Sequence, residues 1–148
     1  LKSKFYILRF ANVIGPDVTH GIIFDFIKKI KKNNKVLEVL GDGNQTKPYI
    51  FIDDLISAMN LVTQKSKDKL SLFLIGLRDR GMSVSRIVKI FCSIMCPNIK
   101  VIYEKKQRGW IGDVISYKYE NKKIKSLGWK PKFTSKQEII KTIKSFLK

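Results

Sequence analysis

Apolar residues along this chain follow two patterns, short continuous runs and stretches with helical spacing, and the two patterns alternate. Continuous runs typical of buried strands cover residues 5–10, 36–40, 49–52, 70–75 and 99–103. Helical spacing marks residues 22–30, 55–62, 84–95 and 139–147, and a shorter helix is expected to end at Leu127, before Gly128. This alternation predicts an α/β fold.

Polar residues at the start of the predicted helices supply capping signals. We expect Asp53 or Asp54 to cap the second helix and Ser83 to cap the third, because their side-chain oxygens accept hydrogen bonds from free N–H groups. Ser135 and Glu138 have the spacing of a capping box ahead of the last helix.

The charge of the chain raises the question of a polyanionic partner. The 148 residues carry a formal net charge of +18, a balance that suggests nucleic acid or an acidic membrane surface. Only five of the 30 basic residues are arginines, however, and the lysines are scattered along the whole chain. Scattered lysines are typical of solvated faces, where their stems also cover apolar surface. We favour that interpretation and keep a polyanion partner as the alternative.

Few residues could hold a metal or form a disulfide framework. Cys92, Cys96 and the single His20 cannot supply a zinc site, and we interpret the two cysteines as buried thiols.

No run of about 18 uncharged apolar residues and no charged-then-apolar leader is present, so we expect a cytoplasmic protein. Because Leu1 leads directly into an apolar run, we expect that the chain begins inside a larger gene product.

Three segments, in this order and spacing, resemble the NAD-dependent epimerase/dehydratase family of extended short-chain dehydrogenases. They are RFANVIGP at 9–16, LGDGNQTKPYIFIDDL at 40–55, and RGWIGDV at 108–114 followed by LGWKP at 127–131. The resemblance implies the last strands of a Rossmann-type sheet together with the smaller substrate-binding lobe. It covers the C-terminal, substrate-binding half of such an enzyme, with the N-terminal NAD-binding portion absent from residues 1–148.

The resemblance assigns no catalytic and no cofactor-binding residue to this chain. In the family, the glycine-rich NAD fingerprint and the catalytic Tyr-x-x-x-Lys pair precede the segment matched by RFANVIGP. Gly41-Asp42-Gly43 lacks the third glycine of a dinucleotide turn. Tyr119 and Lys123 have the spacing of the catalytic pair but lie after RGWIGDV, so we interpret this match as chance.

The resemblance implies that Asn12, Lys47 and Arg108 bind the diphosphate of a nucleotide sugar, to which amide and cationic groups are suited. Lys47 stands where many family members have arginine, and lysine cannot form the bidentate fork. Alternatives stay open, since Asn12 also fits a turn residue and Arg108 a solvated loop residue. Trp110, in the predicted loop 104–114, either covers the nucleotide or anchors the loop.

Further residues match the strand end that approaches the base in the family. These are Val39, Leu40 and Gly41, with Asp113 either orienting Arg108 or capping its own turn. Asp54 also matches a recurrent acid of the family, but we favour a helix cap for it, because it directly precedes Leu55 and the helical run.

The resemblance implies a parent enzyme that interconverts nucleotide sugars with NAD through a transient 4-keto sugar, on the epimerase side because of the RGWIGDV variant. We expect this half alone to bind a nucleotide-diphosphate sugar without catalysing a reaction. Its N-terminal half or a homodimer partner would be a protein partner. The alternatives are a truncated, non-catalytic binding module and a basic nucleic-acid-binding protein, which a steep salt dependence of binding would reveal.

Overall fold

A computed structural model describes residues 3–77, 79, 81–105 and 119–147. Within them lie eight strands: β1 (Phe5–Phe10), β2 (Asn12–Ile14), β3 (Val36–Val39), β4 (Thr46–Lys47), β5 (Tyr49–Phe51), β6 (Leu70–Ile75), β7 (Met82–Ser83) and β8 (Lys100–Tyr103). The five helices are α1 (Ile22–Lys32), α2 (Ile52–Lys65), α3 (Val84–Met95), α4 (Lys122–Ser126) and α5 (Ser135–Ser145).

The strands associate in pairs, three of which are parallel. β1 pairs with β6, β2 with β5 and β3 with β8, while the short β4 and β7 are antiparallel. Parallel partners need a crossover connection, and the one between β2 and β5 contains α1. The five predicted strand regions and all predicted helical regions are confirmed. The short strands β2, β4 and β7 were not predicted, because each contains a polar residue and none is a continuous apolar run.

Two apolar clusters form the core. In the first, α1, α3 and α5 pack around β3, and the rings of Phe26 and Phe91 meet edge to face at 5.3 Å between centroids. In the second, α2 and α4 cover one face of the β1–β6 pair, with Phe73, Ala58 and Trp129 buried between them. Ile14 at the end of β2 and Val39 at the end of β3 both belong to the first cluster, so the carboxyl ends of these two strands lie beside it.

The expectation that Asp53 or Asp54 caps the second helix is wrong. The helix begins at Ile52, and its N-cap residue Phe51 makes no side-chain capping bond. Asp54 is the third residue of the helix and is fully buried. Its carboxylate accepts backbone hydrogen bonds from Lys132 at 2.9 and 3.0 Å and from Phe133 at 3.2 Å. The acid therefore fixes a distant segment to α2.

The capping box of α5 is also displaced from its predicted position. Thr134 is the N-cap and pairs reciprocally with Gln137, one residue earlier than the predicted pair Ser135 and Glu138. The Ser135 hydroxyl instead donates to Asp79 Oδ1 at 2.8 Å. Glu138 is fully buried and accepts from the Phe51 N–H at 3.0 Å. The predicted cap of α3 is confirmed, since the Ser83 hydroxyl accepts from the Arg86 N–H at 3.3 Å.

The two cysteines, predicted to be buried, are half-buried near the end of α3. Burial raises the pKa of the Cys92 thiol to about 12, with Cys96 nearby adding to the effect. At neutral pH Cys92 is therefore a thiol and not a thiolate.

The burial of Glu138 predicts a specific pH dependence of stability. Desolvation raises its pKa to about 8, the Phe51 N–H opposes this, and the negative charges of Asp54 and Asp79 add to it. Because the folded chain holds this proton more tightly than the unfolded chain does, Glu138 favours folding fully below pH 4.5. That contribution is lost as pH rises from about 4.5 to about 8, by at most about 1.4 kcal/mol per pH unit.

In Glu138→Gln this loss should be absent, since the amide oxygen still accepts from Phe51 and carries no charge. Urea unfolding at pH 5 and pH 8.5 should show the variant gaining stability relative to the parent chain at the higher pH. Glu120→Gln, at an exposed residue, is the control and should follow the parent at both values. An equal pH dependence of the parent and Glu138→Gln would contradict a raised pKa at this site.

Candidate functional site

A cavity of about 500 Å³ lies where the start of α1 meets the ends of β2 and β3. Small-molecule sites have this size, and in open α/β sheets they lie beyond the carboxyl ends of the strands. The lining residues are Asn12, Val13, Ile14, Val18, His20, Gly21, Ile22, Ile23, Asp25, Phe26, Lys29, Val39, Leu40, Gln45, Lys47, Tyr49 and Val84.

Asn12 and Lys47, both predicted as phosphate ligands, line this cavity together. The parallel register of β2 and β5 sets Asn12 opposite Tyr49, and the Asn12 N–H donates to the Pro48 carbonyl at 3.3 Å. Lys47 directly precedes Pro48. Backbone contacts therefore hold Asn12 next to the end of β4, the strand that contains Lys47.

The position of β4 depends on the segment that leads into α3. Lys47 pairs with Met82, and the Val84 N–H donates to the Gln45 carbonyl at 2.9 Å. Gly81 has φ +73°, and a Cβ built on it would overlap the carbonyl oxygen of Lys47. Only glycine allows the two backbones to approach this closely.

Val39 and Leu40 also line the cavity, at the carboxyl end of β3. Val39 is buried, whereas the Leu40 side chain is 51% exposed. Gly41, predicted with them, is buried with φ +77°, is not a lining residue, and donates its N–H to Glu104 Oε2 at 3.4 Å. The end of β3, which was predicted to approach the base, thus lies at the cavity, and Leu40 presents an apolar side chain there.

The glycine loop that follows β3 is packed by protein. Gly43 has φ +82°, and a Cβ there would lie 2.7 Å from a ring carbon of Tyr103 and 3.2 Å from the Cβ of Ser85. Burial raises the pKa of the Tyr103 hydroxyl, and Cys92 adds to the effect. A dinucleotide turn needs this space open for a pyrophosphate and needs a helix to follow, and here β4 follows.

Four residues at the start of α1, three of them polar and one a glycine, line the cavity but were not assigned to a site by the sequence analysis. His20 and Gly21 precede the helix, and Asp25 and Lys29 lie one and two turns into it on the same face. Gly21, the N-cap, provides no side-chain capping bond. The only sequence signal was the i, i+4 spacing of Asp25 and Lys29 opposite the apolar face, a pattern that ordinary solvated helices share.

Gln45 is a second residue that the sequence analysis missed. It lines the cavity wall but is only 2% exposed, and its Oε1 has no hydrogen-bond partner among the described residues. Its position in a loop rich in turn formers gave no reason to expect a buried amide.

Not every predicted residue is among the described residues that line this cavity. Arg108, Asp113 and Trp110 lie outside the described residues, as does most of the predicted loop 104–114. Asp54 is not a lining residue, because it faces the segment before α5.

Tyr119 and Lys123, the chance match to a catalytic pair, lie away from the cavity lining. Tyr119 precedes α4 and donates its hydroxyl to the Phe10 carbonyl at 2.7 Å. The Lys123 ammonium lies 4.8 Å from the centre of the Phe73 ring.

Among residues 3–77, 79, 81–105 and 119–147, no group of three or more His, Cys, Asp or Glu is placed to hold a metal ion. Among the helices of the same ranges, none is long and apolar enough to cross a membrane.

A sequence profile described as the NAD dependent epimerase/dehydratase family matches residues 2–76. The chain belongs to this family. A protein of Methanocaldococcus jannaschii provisionally named UDP-glucose 4-epimerase is 32% identical over 144 residues, which are 95% of this chain and 45% of that protein. Human dTDP-D-glucose 4,6-dehydratase is 29% identical over 150 residues, covering 96% of this chain and 41% of its own length.

Solved structures of this family share the fold. A UDP-galactose 4-epimerase matches with a TM-score of 0.81 at 28% identity, covering 97% of this chain and 46% of its own. A Thermotoga maritima UDP-glucose 4-epimerase, solved with UDP-glucose, matches with a TM-score of 0.78 at 28% identity and the same coverage. The predicted α/β fold class of Rossmann-type extended short-chain dehydrogenases is confirmed, and the chain spans less than half the length of these family members.

The close approach at Gly81 predicts a large cost for a single methyl group. Gly81→Ala should destabilise the chain through both its positive φ and its overlap with Lys47, whereas Gly21→Ala has a positive φ but no atom within 4 Å of its Cβ. We expect Gly21→Ala to cost about 1–2 kcal/mol of unfolding free energy and Gly81→Ala at least about 1 kcal/mol more. Urea unfolding of both variants tests this, and equal losses would contradict the close approach.

Proposed function

We propose that this chain binds a nucleotide-diphosphate sugar in the cavity between α1, β2, β3 and β4. The observation that carries the proposal is the shared position of Asn12, Lys47 and the uncapped start of α1 around one cavity of about 500 Å³. An amide donor, a cation and free helical N–H groups are the groups that a diphosphate requires. Membership of the family, with its nucleotide-sugar enzymes, supports the same ligand class.

The proposal assigns roles to a few of the lining residues. Lys47 and Asn12 bind the diphosphate oxygens, and the start of α1 adds backbone donors. Lys47 supplies a point charge, so it holds phosphate without the planar fork of an arginine. Val39 and Leu40 form the wall for the base, and the exposed Leu40 side chain provides an apolar contact, while Gly41 follows them outside the cavity lining. The Asp25 carboxylate suits sugar hydroxyls, because it repels phosphate and accepts from O–H groups.

Arg108 and Asp113 complete the proposed substrate-binding set. In the family resemblance Arg108 is a second cation for the diphosphate, and Asp113 orients it or caps its own turn. Their roles rest on the RGWIGDV motif alone.

For a whole protein of this family we propose an NAD-dependent sugar epimerase that acts on a UDP-sugar through a transient 4-keto intermediate. The M. jannaschii relative and the T. maritima structure, both named as UDP-glucose 4-epimerases, support this choice. The Gly43 loop does not suit the pyrophosphate of NAD, since Tyr103 fills it and it leads into β4. The proposed chemistry therefore requires residues beyond those of this chain, whose own part is to bind and orient the nucleotide sugar.

Two other functions remain testable beside this one. A non-catalytic binding module would use the same cavity, and assays for turnover separate it from half of an enzyme. A nucleic-acid-binding protein is suggested by the net charge of +18 and would use scattered surface lysines instead of the cavity.

Removing the Lys47 cation should weaken nucleotide-sugar binding. We expect Lys47→Ala to lower the affinity for UDP-glucose about ten- to a hundredfold and Lys47→Arg to retain it, since one charge-assisted hydrogen bond contributes about 1.5–3 kcal/mol. Isothermal titration calorimetry at 150 mM salt measures both. Lys89→Ala, at an exposed residue on α3 outside the cavity, is the matched control.

The same titrations separate the ligand classes. Binding of UDP-glucose that survives 500 mM salt and depends on Lys47 supports the proposal. Binding of DNA or RNA that falls steeply with salt, equally in Lys47→Ala and Lys89→Ala, would replace it by the nucleic-acid function.

The chain by itself should show no turnover. With NAD and UDP-glucose we expect no conversion to UDP-galactose above the buffer rate, because the fingerprint and catalytic pair of the family are not in this sequence. Chromatographic separation of the two sugars after prolonged incubation is the measurement. Turnover that scales with chain concentration would show that this chain is catalytic.

A further inference from the structure

Gln45 places a polar atom without a partner in the wall of the cavity. Its side chain is 2% exposed, and its Oε1 accepts no hydrogen bond from the described residues. Within those ranges, buried side-chain oxygens of Asn121, Glu138 and Thr142 are also unpaired, but none of these three residues lines the cavity. A buried acceptor without a donor costs free energy, which a suitable donor recovers.

The loop around Gln45 does not supply that donor. Asn44 donates to the Asp42 carboxylate from its backbone N–H at 2.9 Å and from its side-chain amide at 3.1 Å. The Thr46 hydroxyl donates to the Asn44 carbonyl at 3.3 Å. The Val84 N–H bonds the Gln45 carbonyl and leaves the side-chain amide unsatisfied. The donor for Oε1 therefore has to come from what fills the cavity.

Water is a poor donor at this place. A buried water needs about two to four polar partners. Besides Gln45, the buried residues that line the cavity are apolar or aromatic: Ile14, Ile23, Phe26, Val39, Tyr49 and Val84. A donor group carried on a ligand is held by the rest of the ligand and does not need this polar surrounding.

The chemistry of a nucleotide sugar limits which of its parts can serve. Ionised phosphate oxygens accept hydrogen bonds, so a diphosphate would leave Oε1 unpaired. Along the chain, Gln45 lies between the proposed base wall at Val39 and Leu40 and the proposed diphosphate ligand Lys47. The part of the ligand between base wall and diphosphate is the nucleoside, and uridine has donors in its N3–H group and its ribose hydroxyls.

We propose that Gln45 determines specificity for the nucleoside part of the ligand, by accepting a hydrogen bond at Oε1 from an N–H or O–H group of uridine. This inference rests on the proposed nucleotide-sugar binding and adds the group that reads the nucleoside. A ligand without the matching donor leaves the buried oxygen unpaired, which is how polar groups in a site reject close analogues.

Gln45→Met tests the proposal, because methionine has a similar length and no amide. The free variant should be at least as stable to urea as the parent, since it loses only an unsatisfied group. By isothermal titration calorimetry it should bind UDP and UDP-glucose about three- to tenfold more weakly, as expected for one neutral hydrogen bond. Thr142→Val, which removes an unpaired buried oxygen outside the cavity, is the matched control and should bind both like the parent.

Three analogues identify the donor and test the parent chain without any substitution. CDP has no hydrogen on N3, and 2′-deoxy-UDP and 3′-deoxy-UDP each lack one ribose hydroxyl. One of the three should bind the parent about three- to tenfold more weakly than UDP does. Gln45→Met should bind that analogue and UDP equally.

The remaining outcomes would overturn the proposal. Equal affinity of the parent for all four nucleotides, or of the parent and Gln45→Met for UDP, would show that Oε1 accepts no bond from the nucleoside. A loss by the same factor for every nucleotide would show a purely structural role. A loss seen with UDP-glucose but not with UDP would replace the nucleoside by a sugar hydroxyl.

Failure of this inference can be distinguished from failure of the proposed function. Binding of UDP-glucose that Lys47→Ala weakens and Gln45→Met does not would overturn the role of Gln45 alone. A parent chain that binds neither UDP nor UDP-glucose would overturn both.

Discussion

A fully buried carboxylate, Asp54, connects the start of α2 to a segment that lies 78 residues later in the sequence. Its two oxygens accept the backbone N–H groups of Lys132 and Phe133, and its own carbonyl accepts from the Trp129 indole at 3.3 Å. A buried charge is costly unless hydrogen bonds satisfy it, and loss of these partners would leave an uncompensated carboxylate. The path of the segment before α5, and hence the position of α5 against β5, depends on this interaction.

Two more acids extend the same arrangement. Asp79 accepts from Ser135, and Glu138 accepts from Phe51 at the junction of β5 and α2. β5 pairs with β2, which carries Asn12 to the cavity. The cavity therefore receives its shape from acids that do not line it, because they fix the strands that do.

Periodicity in the sequence was enough to predict the long elements but not the contacts of these acids. The apolar run at 70–75 fits only a strand, and the spacing of apolar residues at 84–95 fits only a helix, so both elements could be predicted directly. Asp54 and Glu138 were predicted as caps because acids usually occupy helix starts for local reasons. Their actual partners lie 78 and 87 residues away, which no local pattern encodes. At the cavity, motif resemblance found Asn12 and Lys47, whereas Gln45 and His20 depend on tertiary position.

Several lysines that contribute to the net charge also make contacts that hold segments of the chain together. Lys65 donates to the Leu127 carbonyl at the end of α4, and Lys29 donates to the Glu38 carbonyl. The Lys141 ammonium lies 4.1 and 4.4 Å from the ring centres of Phe51 and Phe133, and 3.5 Å from Asp53 Oδ2. Such lysines connect segments of the chain by binding carbonyl dipoles and aromatic faces and, in the case of Lys141, a carboxylate as well. Neutralising them chemically, for example by acetylation, would therefore loosen tertiary packing as well as lower the surface potential.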